Sequence, residues 1–520
     1  MFNKRRIYKF HRTCSLLIAL PVLLWAASGF LHPVMTNIRP RIATQVYNAP
    51  AIDTGQLKVS VEEALRLNRI DSIGNIRVVH MGGQQFYQAQ LVIPTETPRY
   101  FSTLTGRELK NGDELYARHL ARYFLEGPAE GLTAAQSGEE APNMMHDCCL
   151  MATMRIMESD KGTPVHTLDR LLHFSGEYKY INRLLPVYRV RFSRSDGIRI
   201  FVETISDRFS LAIDNNRAAF DKFFGWFHTW EWMKGLGDTR YYLMVSITLL
   251  GFLTTIMGLY IFFTTTTKKP VNQVTRARRN HRYTSLGASL FTLLFTFSGG
   301  YHAFSKIGAG SDECLSIPHS FAAIGLDMHK VFADSGSMAI GNISLVSFEQ
   351  RTYWRVVAFN AGKGGPIDLM KDQRVAPARV SYIGVHDRSV LPAGDEDYAR
   401  YLAGKFSGHS LTDIRGIAII TKFTEEYGFV NKRLPVWQVI YGHEKMYIET
   451  STSTLAARVT GGDITEGYSF ALFHKHHFMD FAGKTTRDIS TMFWAGMQVA
   501  MVTVGLILWR RSRRRRSKVI

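Results

Sequence analysis

Eighteen histidines are spread along the 520 residues, and four of them fall into a spacing that suggests chemistry. His11 and His32 are 21 residues apart around an apolar stretch, and His281 and His302 repeat that spacing around another. Imidazole titrates near neutrality and is a common ligand of metals and haem iron. At about 1.5 Å per residue, 21 helical residues rise about 31 Å, close to the roughly 30 Å of bilayer hydrocarbon. Each helix then carries one imidazole near each membrane face. Residues 21 apart also lie only about 60° apart around a helix, so both rings of a pair face the same neighbour. A symmetry axis along the membrane normal brings His32 opposite His302, a bis-imidazole site for one haem. Ser28, Gly29, Ser298, Gly299 and Gly300 beside them leave room for a flat macrocycle, or for close helix contact. The plainer alternative is a polar histidine that anchors a helix end at the interface.

His11 and His281 stand among arginines and suit either a second haem or a solvated position. A gap of about 31 Å is too long for one efficient electron hop, so two haems call for an intermediate ligand level or for macrocycles that reach inward. His228 and His474 offer that level. They sit at matching places in Phe-Phe-Gly-Trp-Phe-His-Thr-Trp (223–230) and Phe-Ala-Leu-Phe-His-Lys-His-His (470–477). Such segments also suit an interfacial aromatic belt. A different cluster, Met144, His146, Cys148, Cys149 and Met151, gathers soft sulfur donors around an imidazole, a set that suits copper(I). Methionine also fills ordinary cores, and the spacing fits no strict site.

Four segments must position these residues: Cys14 to Leu31, Tyr241 to Phe263, Leu286 to Phe304 and Met492 to Trp509. They are largely uncharged and near the length a bilayer needs. The first has a long apolar core and no convincing cleavage site, so it reads as a retained span rather than a signal peptide. The net charge of +19 concentrates in three places: Lys4 to Arg6, Lys268 to Arg282, and Arg510 to Lys518. All three abut apolar spans, which argues against nucleic-acid binding and puts both termini and the middle link in the cytoplasm. The expected order is 1–32, cytoplasmic N-terminus and first span; 33–240, first external domain; 241–266, second span; 267–285, basic cytoplasmic link; 286–304, third span; 305–488, second external domain; 489–520, fourth span and basic tail. Four cysteines are too few for a disulfide scaffold, although Cys314 and the Cys148–Cys149 pair share the oxidising side.

The chain reads as a duplication. At a constant offset of 270, Arg12, Ser15, Leu16, Leu20, Leu23, Leu24, Ser28 and Gly29 recur as Arg282, Ser285, Leu286, Leu290, Leu293, Leu294, Ser298 and Gly299. Tyr178 to Tyr188 returns as Tyr427 to Trp437, and Phe201-Val-Glu-Thr204 as Tyr447-Ile-Glu-Thr450, at offsets near 246. Each half is therefore span, external domain, span, in the same orientation. Outside the spans, Val61 to Leu67 has helical spacing. Ile76 to Val79 and Phe86 to Ile93 read as strands around a Gly82-Gly83 turn, with Ile343 to Phe348 and Tyr353 to Phe359 as counterparts. The predicted class is an α+β membrane protein with four transmembrane helices in two tandem repeats, each with a large external α+β domain.

These residues resemble the PepSY-associated transmembrane family, which includes iron-regulated inner-membrane proteins and ferric-siderophore reductases. Val59-Ser-Val-Glu-Glu-Ala-Leu65, the paired strands and Phe101-Ser-Thr-Leu-Thr-Gly-Arg-Glu-Leu109 are similar to one PepSY module. The basic-His entry and Ser-Gly-x-x-His exit of spans one and three are similar to the family's membrane signature. The resemblance implies an inner-membrane protein with periplasmic PepSY-like domains and haem b that reduces a ferric siderophore or other ferric chelate outside; the paired histidines suggest two haems. No Gly-rich dinucleotide fingerprint is apparent, so a cytoplasmic flavoprotein or membrane quinol supplies the electrons on this reading. Two other classes stay open: a membrane-tethered PepSY binding or sensing module without redox activity, and an iron-chelate transporter. Against the transporter, the mid-span regions are plainly apolar apart from Pro21.

Overall fold

Long apolar runs flanked by arginines fold as four long helices: α1 (Lys4–Asn37), α2 (Thr239–Thr264), α3 (Gln273–Phe304) and α4 (Lys484–Ser517). This computed structural model describes residues 4–128, 162–266, 269–308, 315–334, 339–359 and 378–517. Among them α1, α2 and α4 are each long and apolar enough to cross a membrane. The first turns of α3 are spent on Arg276, Arg278, Arg279 and Arg282 before its apolar stretch begins. Asn272 caps α3 by accepting from the Val274 and Thr275 amides, and the Thr275 hydroxyl accepts from the Asn272 amide in return. Several hydroxyls inside the helices are satisfied by the preceding turn: Thr292 donates to the Ala288 carbonyl and Ser298 to that of Leu294, both at 2.8 Å.

The four helices close a ring in which α1 packs on α2 and α4, and α3 packs on α2 and α4. Spans one and three were expected to face each other; instead α1 and α3 stand diagonally. The neighbour each histidine-bearing helix presents its rings to is therefore α2 or α4. These helices form one unit, Met1–Arg39, Asn216–Asp312 and Gly461–Ile520.

The second unit, Pro40–Asn215 with Glu313–Thr460, is mixed α+β. Its first segment supplies β1 (Ser72–Ile73), β2 (Asn75–Met81), β3 (Gln84–Gln90), β4 (Arg99–Ser102), β5 (Val165–Leu171), β6 (Val187–Phe192), β7 (Arg199–Glu203) and β8 (Arg208–Ile213). The second supplies β9 (Phe321–Ala322), β10 (Ala339–Phe348), β11 (Arg351–Phe359), β12 (Arg379–Gly384), β13 (Gly416–Ile420), β14 (Val436–Ile440), β15 (Glu444–Glu449) and β16 (Thr454–Thr460). Each segment makes a three-stranded and a four-stranded antiparallel sheet. The β2–β3 hairpin forms where alternation predicts it; Gly82 and Gly83 both take positive φ, as a two-residue turn of this hand requires. The two external segments meet in this one unit. β1 pairs with β9, Asn75 Oδ1 accepts from the Leu345 amide at 2.9 Å, and Leu65, Tyr87 and Phe101 share a core with Phe321, Ile343 and Trp354.

Candidate imidazole cluster in the helical unit

The helix Asn215–Phe227 delivers His228, and a π-helical turn Phe470–His474 ends on His474. Both rings insert among the long helices, where their centroids lie 6.0 Å apart at an interplanar angle of 79°. Each ring stacks on the aromatic four residues before it, His228 on Phe224 at 4.4 Å and His474 on Phe470 at 4.6 Å. Each also rests on a glycine of a long helix. A Cβ added at Gly29 would stand 3.8 Å from His228 Cε1, and one at Gly299 would stand 3.6 Å from His474 Cε1. Gly29 and Gly299 thus seat imidazoles, whereas Gly300 lies against Thr248.

Hydrogen bonding fixes which nitrogen is free. The Ser28 hydroxyl donates to the Leu24 carbonyl at 2.7 Å, so its oxygen is left to accept from His228 Nδ1–H at 3.0 Å. Ser298 does the same, donating to Leu294 and accepting from His474 Nδ1–H at 3.2 Å. Near the opposite ends of the helices, His11 Nδ1 donates to the Thr254 carbonyl at 3.0 Å, with Gly258 against its Cε1. His281 Nδ1 lies 3.3 Å from Ser285 Oγ, with Gly505 against its Cε1 and the Met501 carbonyl in reach. Each Nδ1–H has an acceptor, which leaves Nε2 as the nitrogen with the lone pair. A histidine held at one nitrogen by an outer partner and bare at the other is the usual state of a metal ligand.

His32 and His302 flank the His228–His474 pair without meeting each other. His32 lies against Phe224 at 5.1 Å, and His302 against Phe470 at 4.5 Å. His302 Nδ1 also binds Glu466 Oε1 at 2.5 Å, and Glu466 has no acidic counterpart in the first half. The diagonal placement of α1 and α3 is why the closest rings are His228 and His474. His11 and His281 are within electrostatic reach of one another. The cluster Met144, His146, Cys148, Cys149 and Met151 lies outside the described residues, as does Cys314.

Spacing did not mark Ser28 and Ser298 as hydrogen-bond partners, and it ranked His476 low because the first half has no matching histidine. The His476 ring is fully buried, stacks on Phe295 at 5.3 Å, binds Ser490 through Nδ1 at 3.1 Å and leaves Nε2 with no partner. It occupies the position Trp230 holds in the first half, where Trp230 stacks on Trp25 at 5.1 Å. Trp25 and Phe295 stand at the same 270-residue offset as the histidine pairs, and this register is the signal that would have found the exchange. No protein-family model and no curated protein matches the chain.

Proposed function

We propose that this chain is a four-span, duplicated, haem b-containing inner-membrane protein that passes electrons to a ferric siderophore or another ferric chelate on the external side. The observation that carries it is the prepared tautomer: His228, His474 and His11 each give Nδ1–H to an oxygen and keep Nε2 bare. His476 shares the tautomer through Ser490, but His228, His474 and His11 also each rest on a glycine of a long helix, and each has a partner histidine at a matching position. His228 and His474 are close enough, at 6.0 Å between ring centroids, to serve one site. These two residues would hold the outer haem and His11 with His281 the inner one, with His32 and His302 lining the outer site. The bound haems supply one-electron redox chemistry. The chain's own residues fix ring orientation through the serines, exclude water with Phe224 and Phe470, and keep the ring seats clear through glycine.

Along α1, Ser28 is 17 residues from His11, a rise of about 26 Å. The His228–His474 seat is thus about one turn inward of His32, which shortens the span between the two ligand levels.

Haem content per chain and the reduced-minus-oxidised spectrum of the full-length protein in detergent test this reading. The wild type should carry two b-type haems, and His474→Ala should lose about half of the signal. Mixing the pre-reduced protein with a ferric chelate should re-oxidise it. A colourless preparation from haem-replete cells would refute the reading.

A further inference from the structure

The second unit carries a cluster that the electron-transfer reading does not use. His409 lies just past the helix Gly394–Ser407, His443 is at the turn between β14 and β15, and Glu444 opens β15. One ligating atom from each of the three lies within 4.8 Å of the others. His409 Nε2 is 3.6 Å from Glu444 Oε1, and the two imidazole rings are 5.2 Å apart and nearly perpendicular.

Glu444 is the informative member. Its side chain is only 6% exposed, yet it makes no side-chain hydrogen bond among the described residues. Its nearest partners are Arg458 Nε at 3.4 Å and His409 Nε2 at 3.6 Å, both longer than a charge-assisted hydrogen bond of about 2.7–2.9 Å. Arg458 engages one oxygen of this largely buried carboxylate, which leaves Oε1 toward the imidazoles, where a cation would complete its coordination. The outer groups are in place. Arg458 holds the far carboxylate oxygen while donating to the Phe406 carbonyl at 3.1 Å. The Tyr441 amide donates to the Glu444 carbonyl at 2.9 Å, which ties the turn, and the His409 amide is fixed by Ser407 Oγ at 3.0 Å. His443 is exposed, so the remaining coordination positions open to water.

We infer that His409, His443 and Glu444 bind one divalent first-row transition cation of the Zn2+ or Fe2+ type. Two imidazoles and one carboxylate match the donor preference of those ions and not that of Mg2+ or Ca2+, which take oxygen ligands. The first half lacks the site: at the offset of 246, the places of His443 and Glu444 are taken by Gly197 and Ile198. This inference does not depend on haem.

The test is equilibrium dialysis of the chelator-treated, full-length protein in detergent against micromolar Zn2+, with bound metal counted by mass spectrometry. The wild type should retain one more zinc than the His409→Ala/His443→Ala double variant. His443→Ala alone should weaken that equivalent roughly tenfold or more, and His443→Cys, which restores a zinc ligand, should recover it. Fe2+ under anaerobic conditions should compete for the same equivalent, and millimolar Mg2+ should not. Equal zinc stoichiometry and affinity in wild type and double variant, with matching thermal melts, would overturn the assignment. Displacement by Mg2+ would do so as well.

Discussion

At the scale of single residues, the helical unit is organised by where imidazole protons go. Ser28 and Ser298 have already given their own hydrogens to helix carbonyls, so each can only accept from a ring. His476 makes the same kind of bond, to Ser490, but its free nitrogen faces aromatic rings. Its Nε2 is buried and unpartnered, among Phe291, Phe295 and Phe478. Leaving a polar atom in that state costs about 1–3 kcal/mol, set against one hydrogen bond to Ser490 worth about 1 kcal/mol. His476→Phe should therefore hold or raise thermal stability, by up to about 1 kcal/mol, and leave haem content unchanged. A clear loss of stability or of haem would give His476 a partner in the membrane. The histidine pairs were legible in the sequence because their surroundings recur, His11 and His32 at an offset of 270 and His228 at one of 246. The serines were not, since a hydroxyl's partner depends on which helices become neighbours, and neither spacing nor hydropathy encodes that.

At the scale of elements, the second unit is set by close approaches that only glycine permits and by buried charges that move between strands. A Cβ at Gly112 would stand 2.6 Å from the Tyr100 side chain, and one at Gly394 would stand 2.5 Å from Tyr382, so each three-stranded sheet is pressed onto its helix through the same contact. Gly112→Ala should destabilise the unit by about 1–3 kcal/mol, read from denaturant melts. Strand alternation made β2, β3, β10 and β11 legible. It did not reveal a charge exchange: the β2–β3 pair buries Arg77 opposite Gln88, whereas β10–β11 has Ser344 opposite Arg355. The cation persists but changes strand, and each finds its own carboxylate, Arg77 at Asp207 and Arg355 at Asp395. On the helix Gly112–Glu126, burial pushes His119 down to about 4, although Asp207 opposes the shift; its Nε2 lies 3.3 Å from the Tyr47 hydroxyl. With an unfolded value near 6.5, folding favours the neutral ring. That contribution is complete above about pH 6.5 and drains away as pH falls toward 4. Stability of the unit should drop by about 1–3 kcal/mol across that window, and His119→Phe should flatten the drop. An unchanged acid profile in the variant would assign the sensitivity to other groups.

At the scale of the whole molecule, the helical unit is electrically polar along its axis. The three basic clusters come together at one end: Lys4 reaches the Thr264 carbonyl, Arg282 binds the carbonyls of Phe262 and Thr265, and Arg511 reaches that of Gln273. The helix ends thus meet in a patch where arginines both cap exposed carbonyls and add positive charge. The proposed topology puts this patch on the cytoplasmic face, because short basic loops resist translocation. On the proposed topology, a fluorescent protein fused after Ile520 should fold and fluoresce. Alkaline phosphatase, which needs an oxidising compartment, should be inactive at that position and active when inserted at Gly408, an exposed turn of the second unit. Replacing Arg276, Arg278, Arg279 and Arg282 by glutamine should lower the contrast between the two reporters, since the middle link then loses most of the charge that holds it inside. Equal phosphatase activity at both positions in the unmodified protein would reverse the assigned orientation. The electron path would then have to run the other way, with the second unit facing the cytoplasm.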